Sequence, residues 1–342
     1  MSQNERLAGV FVREGVLEVQ RRAIPTLPDQ DWVLLELEGC GVCGTDLHIL
    51  SVPPAVAATP GAILGHEVVG EVIEIGSAVT TINVGDRVTV AANLTCGLCR
   101  YCKAGKPLHC ENWTTLGIHK DGGFARYMAA PERALHQVSK ALPFAEAVWI
   151  EPLSCVVNCT DVIAIQPGQT AVVIGAGPIG ILQGMMFKAA GAKVIISDLA
   201  PYRLEVAQQA GLDGVVNIKT DSLAEVVKAE TGGWGAEVVV DAVGNQFGTA
   251  LELAAKQGKI ALFGVNEKAL PPVRQYLITR NELTVFGSFV GENTFPRAIQ
   301  ILESGAIKPS VMNSMILPLP DIFKGIDAAR QGEAVKVVVT AN

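Results

Sequence analysis

A glycine-rich turn at residues 175–180 follows a short apolar run, Thr170–Ile174. The turn has the spacing Gly-x-Gly-x-x-Gly, and a helical pattern begins inside it. Glycines at this spacing let the backbone approach a pyrophosphate, whose charge is favoured at the N-terminus of the helix. The chain is therefore predicted to contain a strand–turn–helix unit that binds a dinucleotide. The candidate contacts are Gly175, Gly177, Pro178, Ile179 and Gly180.

Apolar runs alternate with helical patterns from residue 170 to residue 287. Apart from polar residues at their ends, the runs are continuously apolar, as in strands of a parallel sheet that is covered on both faces. The alternation predicts an α/β fold with a doubly wound, Rossmann-type sheet. The predicted strands are Thr170–Ile174, Lys193–Ser197, Val215–Asn217, Glu237–Asp241, Lys259–Phe263 and Leu283–Phe286. The predicted helices are Pro178–Ala190, Pro201–Ala210, Ser222–Glu230 and Gln246–Lys256.

The second strand of this unit is followed by Asp198, and the next residue, Leu199, is not basic. A carboxylate at this position accepts hydrogen bonds from the adenosine ribose hydroxyls and repels a 2′-phosphate. The sequence therefore predicts NAD rather than NADP as the cofactor. Arg203 has three explanations that the sequence leaves open: it pairs with a cofactor phosphate, lies over the adenine, or is a solvated helix charge.

The first 150 residues have a different pattern, with short Val/Ile/Leu runs separated by Gly, Pro and Asp. Strands are predicted at Trp32–Leu37, Val68–Ile75 and Arg87–Ala91, as in a small barrel-like domain. A helix at Phe295–Ser304 and a last strand at Lys336–Thr340 follow the nucleotide-binding region.

The length and charge of the chain limit its class. A chain of 342 residues is too long for one ordinary core and suits two domains. The formal net charge of −7 argues against nucleic acid or an anionic membrane as the main partner. The polar N-terminal residues do not resemble a signal peptide, and no apolar run reaches the roughly 18 residues of a membrane span. We therefore expect a soluble cytoplasmic protein.

Four of the eight cysteines lie within fifteen residues. The cytoplasm keeps thiols reduced, so metal binding explains this crowding better than disulfides do. Four thiolates suit one tetrahedral zinc ion with every position closed, which is a structural site. An iron–sulfur cluster is the alternative, although no electron-transfer partner site is evident. The four candidate ligands are Cys96, Cys99, Cys102 and Cys110.

Three further pieces lie apart in the sequence: Gly-Val-Cys43-Gly-Thr-Asp, Gly-His66-Glu67 and Glu151-Pro-Leu. A cysteine, a histidine and a carboxylate form the mixed ligand set of a catalytic zinc that keeps one exchangeable position. Taken alone, His66 and Cys43 each have an ordinary structural explanation as partly buried residues. Their combination is what indicates a metal centre.

These motifs, in this order and with the glycine-rich turn after them, resemble the zinc-containing medium-chain dehydrogenases over essentially the whole chain. The resemblance implies a GroES-like, mainly-β catalytic domain made of both chain ends, with the Rossmann domain inserted between them. The expected boundaries are 1–153 for the catalytic domain, with a structural zinc lobe at about 93–112, 154–287 for the Rossmann domain, and 288–342 for the remainder of the catalytic domain. It also implies a homo-oligomer, either a dimer or a tetramer.

The resemblance implies roles for individual residues. Cys43 and His66 would bind the catalytic zinc, with Glu67 and Glu151 as carboxylate ligands that exchange with water. Thr45 would take the proton of the substrate hydroxyl and pass it towards His48, and Asp46 would bond the second nitrogen of His66. Turns that follow the later strands would contact the nicotinamide half of the cofactor, although each is equally well explained as a plain strand-end turn. The residues in these turns are Val243, Gly264, Val265, Ser288 and Phe289.

The Glu-Pro-Leu motif is similar to that of the polyol and L-threonine dehydrogenase branch. The Arg-Tyr pair with which sorbitol dehydrogenases usually contact their substrate is absent from 288–293, where Glu292 and Asn293 could bond hydroxyls or be solvated loop residues. We expect oxidation of a secondary alcohol, a polyol or sugar derivative, with L-threonine as an alternative substrate. A non-catalytic nucleotide-binding relative is the alternative of another class, and it would have lost zinc ligands.

Overall fold

The computed structural model describes residues 5–291 and 293–340. Within these ranges no helix is both long and apolar enough to cross a bilayer. The strands are β1 (Glu5–Arg13), β2 (Val16–Ala23), β3 (Trp32–Val42), β4 (Glu67–Ile75), β5 (Arg87–Val90), β6 (Asn93–Leu94), β7 (Thr114–Thr115), β8 (Tyr127–Pro131), β9 (Leu135–Gln137), β10 (Thr170–Ile174), β11 (Lys193–Asp198), β12 (Gly214–Asn217), β13 (Ala236–Asp241), β14 (Ala254–Leu262), β15 (Thr284–Gly287), β16 (Asn313–Pro318) and β17 (Lys336–Thr340). The α-helices are α1 (Gly44–Ile49), α2 (Arg100–Lys103), α3 (Phe144–Ala147), α4 (Ile150–Ile163), α5 (Pro178–Ala189), α6 (Pro201–Gln209), α7 (Leu223–Glu230), α8 (Phe247–Leu253), α9 (Gln275–Asn281), α10 (Phe295–Glu303) and α11 (Ile322–Gln331).

The chain divides by its internal contacts into two compact units. The first takes in the described parts of 1–152, 295–304 and 313–342, and the second takes in 153–294 and 305–312. The second unit therefore holds the whole segment expected to bind the nucleotide, together with short stretches on its C-terminal side.

The second unit contains a six-stranded parallel sheet in the order β12-β11-β10-β13-β14-β15. This order is that of the dinucleotide-binding doubly wound fold, and it confirms the predicted Rossmann-type sheet. The central residues of β10 and β13 are buried, with Val172, Val173 and Val239 at 0% exposure, which explains the apolar sequence at the centre of these strands.

The helix predicted at Gln246–Lys256 is too long. In the structure α8 ends at Leu253, and β14 begins at Ala254, which pairs with Ala236 of β13. The strand then passes through Gln257, whose φ is 60°, before it continues along β13. Parallel pairing to β13 therefore overrides the local helical pattern at these residues. The helices α4, α9 and α11 had no prediction from the sequence.

The first unit is built mainly from strands. Its large sheet runs β16-β17-β3-β4-β5-β9, and β8 also pairs with β3. Separate two-stranded sheets are formed by β1 with β2 and by β6 with β7. This architecture confirms the mainly-β GroES-like prediction.

Three strands of this sheet meet at one place. Gly41 at the end of β3 lies opposite Glu67 at the start of β4, and Val42 lies opposite Val337 at the start of β17. The register thus brings the residues that follow β3, begin β4 and begin β17 to the same end of the sheet. The segments expected to hold the catalytic zinc start from this end.

Candidate active site

Three metal-binding side chains converge where these strands meet. One ligand atom each from Cys43, His66 and Glu67 lies within 4.8 Å of the others. Cys43 is half-buried, whereas His66 and Glu67 are 7% and 2% exposed. The two sequence motifs that supply these residues are therefore adjacent in space, as a mixed zinc site requires.

Short local interactions hold the Cys43 and His66 backbones. Cys43 precedes α1, and its backbone N–H donates to the carboxylate of Asp46 at 2.9 Å. Gly65, directly before His66, has a φ of +91°, and a Cβ there would lie 2.6 Å from the ring of Phe124. A glycine is therefore required to turn the chain so that His66 reaches the site.

Asp46 faces the other side of the His66 ring, but at a longer distance than a hydrogen bond. The His66 Nδ1 atom lies 3.9 Å from the Asp46 Oδ1 atom. Complete burial raises the pKa of Asp46 to about 6, an effect that the charge of His66 opposes. Burial alone would lower the pKa of His66, yet the nearby Cys43 thiolate and other acidic groups raise it well above its usual value. The site therefore has an excess of negative donors, which favours a cation.

Glu151 lies in the first turn of α4. Its charge is among those that raise the pKa of His66, so this carboxylate is close to the imidazole. It is not part of the tight group formed by the Cys43, His66 and Glu67 donor atoms. Of the two predicted carboxylate ligands, Glu67 is thus the one within this group.

Lys336 was not identified from the sequence. Its side chain is 1% exposed, and its ammonium donates to Glu67 Oε2 in a fully buried ion pair. The only signal in the sequence is a single lysine at the start of the apolar run Lys336–Thr340. This lysine alone does not indicate its acidic partner. Lys336 of β17 and Glu67 of β4 come together because both strands pair with β3.

Thr45 and His48 both lie on α1. They are three residues apart and so occupy neighbouring positions on one face of the helix. Thr45 is half-buried and His48 is exposed, so of the two side chains His48 has the greater access to solvent. The Leu50 carbonyl that follows α1 accepts a hydrogen bond of 2.8 Å from Arg330 of α11.

The four clustered cysteines form a second group of converging donors. All are free thiols, and neighbouring Sγ atoms lie 3.5 Å apart in two pairs, Cys99 with Cys102 and Cys96 with Cys110. The backbone amides of Leu98 and Cys99 donate to the sulfur of Cys96 and lower its pKa to about 6. A sulfur that accepts amide hydrogens in this way is suited to the thiolate state that a metal requires.

The glycine-rich turn has the geometry that a pyrophosphate needs. Gly175 has a φ of 104°, and a Cβ on Gly180 would collide with the Gly175 carbonyl. A Cβ on Gly177, by contrast, would have no atom within 4 Å, so the face beside the N-terminus of α5 is open to a ligand. Pro178 and Ile179 form the first turn of that helix.

Asp198 ends β11 beside this turn. One of its oxygens accepts from the Ala176 N–H at 2.8 Å, and the other accepts from Leu199 and Ala200 at 2.7 and 2.9 Å. Arg203 Nη1 lies 3.8 Å from the same carboxylate, so the arginine is directed to the nucleotide turn rather than to solvent alone.

The turns after β13, β14 and β15 lie at the same C-terminal edge of the sheet. Buried Asp241, which the sequence reasoning missed, accepts N–H bonds from Val243, Gly244 and Gln246 at 2.7–2.9 Å. A Cβ on Gly264 would lie 2.6 Å from the Val243 nitrogen, so these two turns touch through their backbones. Residues further along this edge are Val265, Ser288 and Phe289.

Of the two polar residues that could bond substrate hydroxyls or be solvated loop residues, Glu292 lies outside the described residues. Asn293 adopts a φ of 55°, a left-handed conformation that asparagine tolerates better than most residues. No substrate contact is assigned to either residue.

Two family models match the chain: the alcohol dehydrogenase GroES-like domain at residues 29–140 and the zinc-binding dehydrogenase at residues 178–304. Sorbitol dehydrogenase of Bacillus subtilis is 32% identical over 342 residues, which cover 97% of this chain and 96% of that protein. The chain belongs to the zinc-containing medium-chain dehydrogenases. It is accordingly an oxidoreductase, and its resemblance to the polyol and threonine branch is confirmed.

Two further members of the family are similar along their full lengths. L-threonine 3-dehydrogenase of Xanthomonas axonopodis pv. citri is 34% identical over 329 residues, covering 93% of this chain and 94% of that protein. A Sinorhizobium meliloti 1021 protein assigned to the zinc-binding dehydrogenases, in a crystal structure with bound NADP, is 31% identical with a TM-score of 0.91. That match covers 99% of this chain and 100% of the other.

Proposed function

We propose that this dehydrogenase oxidises a secondary alcohol, a polyol or sugar derivative, to the ketone, with zinc as the catalytic metal and NAD as the hydride acceptor. The observation that carries the proposal is the convergence of the Cys43, His66 and Glu67 donor atoms within 4.8 Å, with Glu151 close to His66. A relative that had lost catalysis would have no reason to keep this ligand set.

The donor chemistry of the site fits zinc. A thiolate, an imidazole and a carboxylate supply three ligands, which leaves one position for a substrate oxygen or water. The Nδ1 atom of His66 faces Asp46, so the Nε2 atom is the one available to a metal. Zinc held there would polarise the substrate hydroxyl and favour its deprotonation.

The residues on α1 carry the proton away. The hydroxyl of Thr45, half-buried beside Cys43, accepts the proton of the substrate while it gives up its own. His48, on the same face of α1 and exposed, passes a proton on to solvent. Imidazole suits this step because its ordinary pKa lies near neutrality.

The cofactor is NAD by the argument from Asp198. This carboxylate stands beside the open face of the glycine turn, where it repels a 2′-phosphate and accepts from ribose hydroxyls. Bound NAD would supply the acceptor for the hydride that leaves the alcohol carbon. Because the Sinorhizobium relative is bound to NADP, kinetics with both cofactors is the direct test of this preference.

The four-cysteine group fits a structural zinc. Its donors are all sulfur and leave no open position, and Leu98 in the same loop is 74% exposed. With little apolar burial, the loop from 93 to 112 depends on metal for its conformation.

L-threonine is the second candidate substrate, supported by the similarity to L-threonine 3-dehydrogenase. Its ammonium group would need a free carboxylate beside the zinc. Glu67 is already paired with Lys336, which leaves that carboxylate unsuited to the task. The pairing therefore leaves Glu151 as the carboxylate near His66 that an ammonium would have to meet.

A substrate panel tests the proposal. Zinc-loaded protein is assayed for NADH formation with sugar alcohols, phosphorylated sugar alcohols, simple secondary alcohols and L-threonine, each with NAD and with NADP. We expect the highest kcat/KM for a polyol or sugar derivative with NAD. Oxidation of threonine far above every polyol would overturn the substrate class, and failure of all alcohols would overturn the catalytic assignment.

We further propose that the protein is a cytoplasmic homo-oligomer, on the family resemblance. Exposed apolar residues that precede the edge strand β15, among them Leu270 at 94% and Tyr276 at 67%, are consistent with burial against another chain. Light scattering would give the mass, and a monomer at micromolar concentration would contradict the proposal.

A further inference from the structure

We propose that Lys336 is a positioning residue for the catalytic zinc: by holding one oxygen of Glu67, it fixes this carboxylate as a ligand that binds through its other oxygen. The inference rests on the proposed zinc site and deepens it. It also decides between the two carboxylates, assigning Glu67 as the third protein ligand and leaving Glu151 to act on the groups around the metal.

The ion pair is buried and local. Lys336 and Glu67 side chains are 1% and 2% exposed, and the ammonium donates to Oε2 alone. One atom of Glu67 at the same time lies within 4.8 Å of the Cys43 and His66 donors. A carboxylate that is held at one oxygen has a restricted rotation, and its remaining oxygen has a defined direction.

The surroundings of Lys336 leave its ammonium little freedom. Its Nζ atom lies 4.9 Å from the centroid of the Trp149 ring, a cation–π distance. The Trp149 indole is itself fixed by a 2.8 Å hydrogen bond to Asn313, whose amide donates to the Ala145 carbonyl at 2.9 Å. On another side, a Cβ on Gly41 would lie 2.8 Å from Lys336 Cε.

The charges around the site give a second reason for this lysine. The acidic groups of the site are Cys43, Asp46, Glu67 and Glu151, and their charges together outnumber the two positive charges of one zinc ion. The buried ammonium of Lys336 offsets part of this excess negative charge. The negative charges of Cys43 and Glu151 act to raise the pKa of Lys336, and the ammonium of Lys336 acts to lower the pKa of Asp46. The ammonium therefore belongs to the same group of interacting charges.

Release of zinc to a chromogenic chelator tests the proposal in the full-length protein. Wild-type protein should release its two zinc ions in two phases, and the four-cysteine site serves as an internal reference. In Lys336→Met we expect the catalytic phase to accelerate by about 10- to 100-fold, the usual effect of removing an outer-shell partner, with the cysteine phase unchanged. Lys336→Arg should restore most of the slow release.

Substitution of zinc by cobalt provides a spectroscopic test. The spectrum would not change on replacement of Lys336 if this lysine only stabilised the fold. The d–d bands of Co²⁺ at the Cys43 site should shift in Lys336→Met, because Glu67 is no longer held to one oxygen, and should return in Lys336→Arg. Lys324→Met is the matched control, since Lys324 is exposed and pairs only with Asp321 in the described residues. If Lys336→Met does not fold, Lys336→Gln replaces it, with the same expected direction.

Two results separate the possible failures. If wild-type protein shows two release phases, and both phases and the cobalt bands stay unchanged in Lys336→Met or Lys336→Gln, the positioning role is wrong. A single phase and one zinc per chain in the wild type would instead overturn the proposed catalytic zinc.

Discussion

The packing of the proposed zinc site depends on Gly41. This glycine lies opposite Glu67 in the sheet, and its missing side chain leaves the space that the Glu67–Lys336 pair occupies. A buried pair of charges is stable only while both partners keep their contact, because a lone buried charge is costly. The glycine thus matters for the space that it leaves and not for its backbone freedom.

Gly41→Ala should destabilise the protein by about 1–3 kcal/mol, because the added Cβ would press on Lys336 and on Glu67. Thermal unfolding of the zinc-loaded protein measures the effect. Gly44→Ala is the matched control, since a Cβ at Gly44 has nothing within 4 Å, and it should leave the unfolding midpoint unchanged or raise it. Equal midpoints for Gly41→Ala and wild type would contradict the packing argument.

Asp198 is the residue to which we attribute the proposed preference for NAD. In Asp198→Ala we expect the ratio of kcat/KM with NAD to kcat/KM with NADP to fall about tenfold or more, or 1.4 kcal/mol, because the repulsion of the 2′-phosphate is gone. Steady-state kinetics with both cofactors provide the ratio. Asp213→Ala is the control, because Asp213 also accepts a backbone N–H, from Val194 at 2.9 Å, but lies away from the glycine turn.

An unchanged ratio in Asp198→Ala, or an equal fall in Asp213→Ala, would show that the preference has another source. Arg203 would then be the first residue to replace, because it lies 3.8 Å from the Asp198 carboxylate.

Predictions about single residues were possible from the sequence where all the residues of a site lie in one short motif. The cysteine quartet and the glycine turn each bring their own residues together within a short segment, and the structure has them so. The roles of Lys336 and Asp241 could not be predicted in this way. Lys336 reaches Glu67 only through the order of strands β17, β3 and β4, and Asp241 acts through backbone amides that any sequence would supply.

The loop from 93 to 112 is an element that its own side chains do not hold together. Its short helix α2 has no buried residue, and the amides of the loop point to sulfur atoms. We therefore expect metal to supply the cohesion that a hydrophobic core supplies elsewhere.

Cys99→Ser should remove one zinc per chain and expose this loop to proteolysis, because serine is a poor substitute for a thiolate ligand. Zinc analysis and limited trypsin digestion measure both effects, with Arg100 and Lys103 as cleavage sites in the loop. His109→Ala is the control, as this exposed residue lies next to Cys110 without belonging to the cysteine group. Retention of two zinc ions in Cys99→Ser would contradict a four-thiolate site.

Strand and helix predictions succeeded where periodicity and burial agreed. The strands β10, β11 and β13 were found because their central residues are apolar and buried on both faces. The helical sequence pattern of α8 continues over residues 254–256, which belong to β14 in the structure. Their pairing with β13 depends on distant residues and is not visible in the local sequence. The long helix α4 was not predicted, although its first turn carries the Glu151 motif.

At the scale of the molecule, the order of elements agrees with the family. Strands from both chain ends, β3 and β17, pair in the sheet of the first unit, and the nucleotide-binding sheet is contributed by the residues between them. This order was available from the sequence only through the resemblance. The domain boundaries at residues 153 and 287 remain predictions, and the structure assigns 288–294 and 305–312 to the second unit.

The central claim is that one chain holds a catalytic zinc at Cys43, His66 and Glu67 in addition to a structural zinc. Counting zinc per chain by native mass spectrometry, in wild type and in His66→Ala, tests it most directly. We predict two zinc ions in the wild type and one in His66→Ala, because the four-cysteine site is independent of His66. One zinc in the wild type, or two in His66→Ala, would contradict the account.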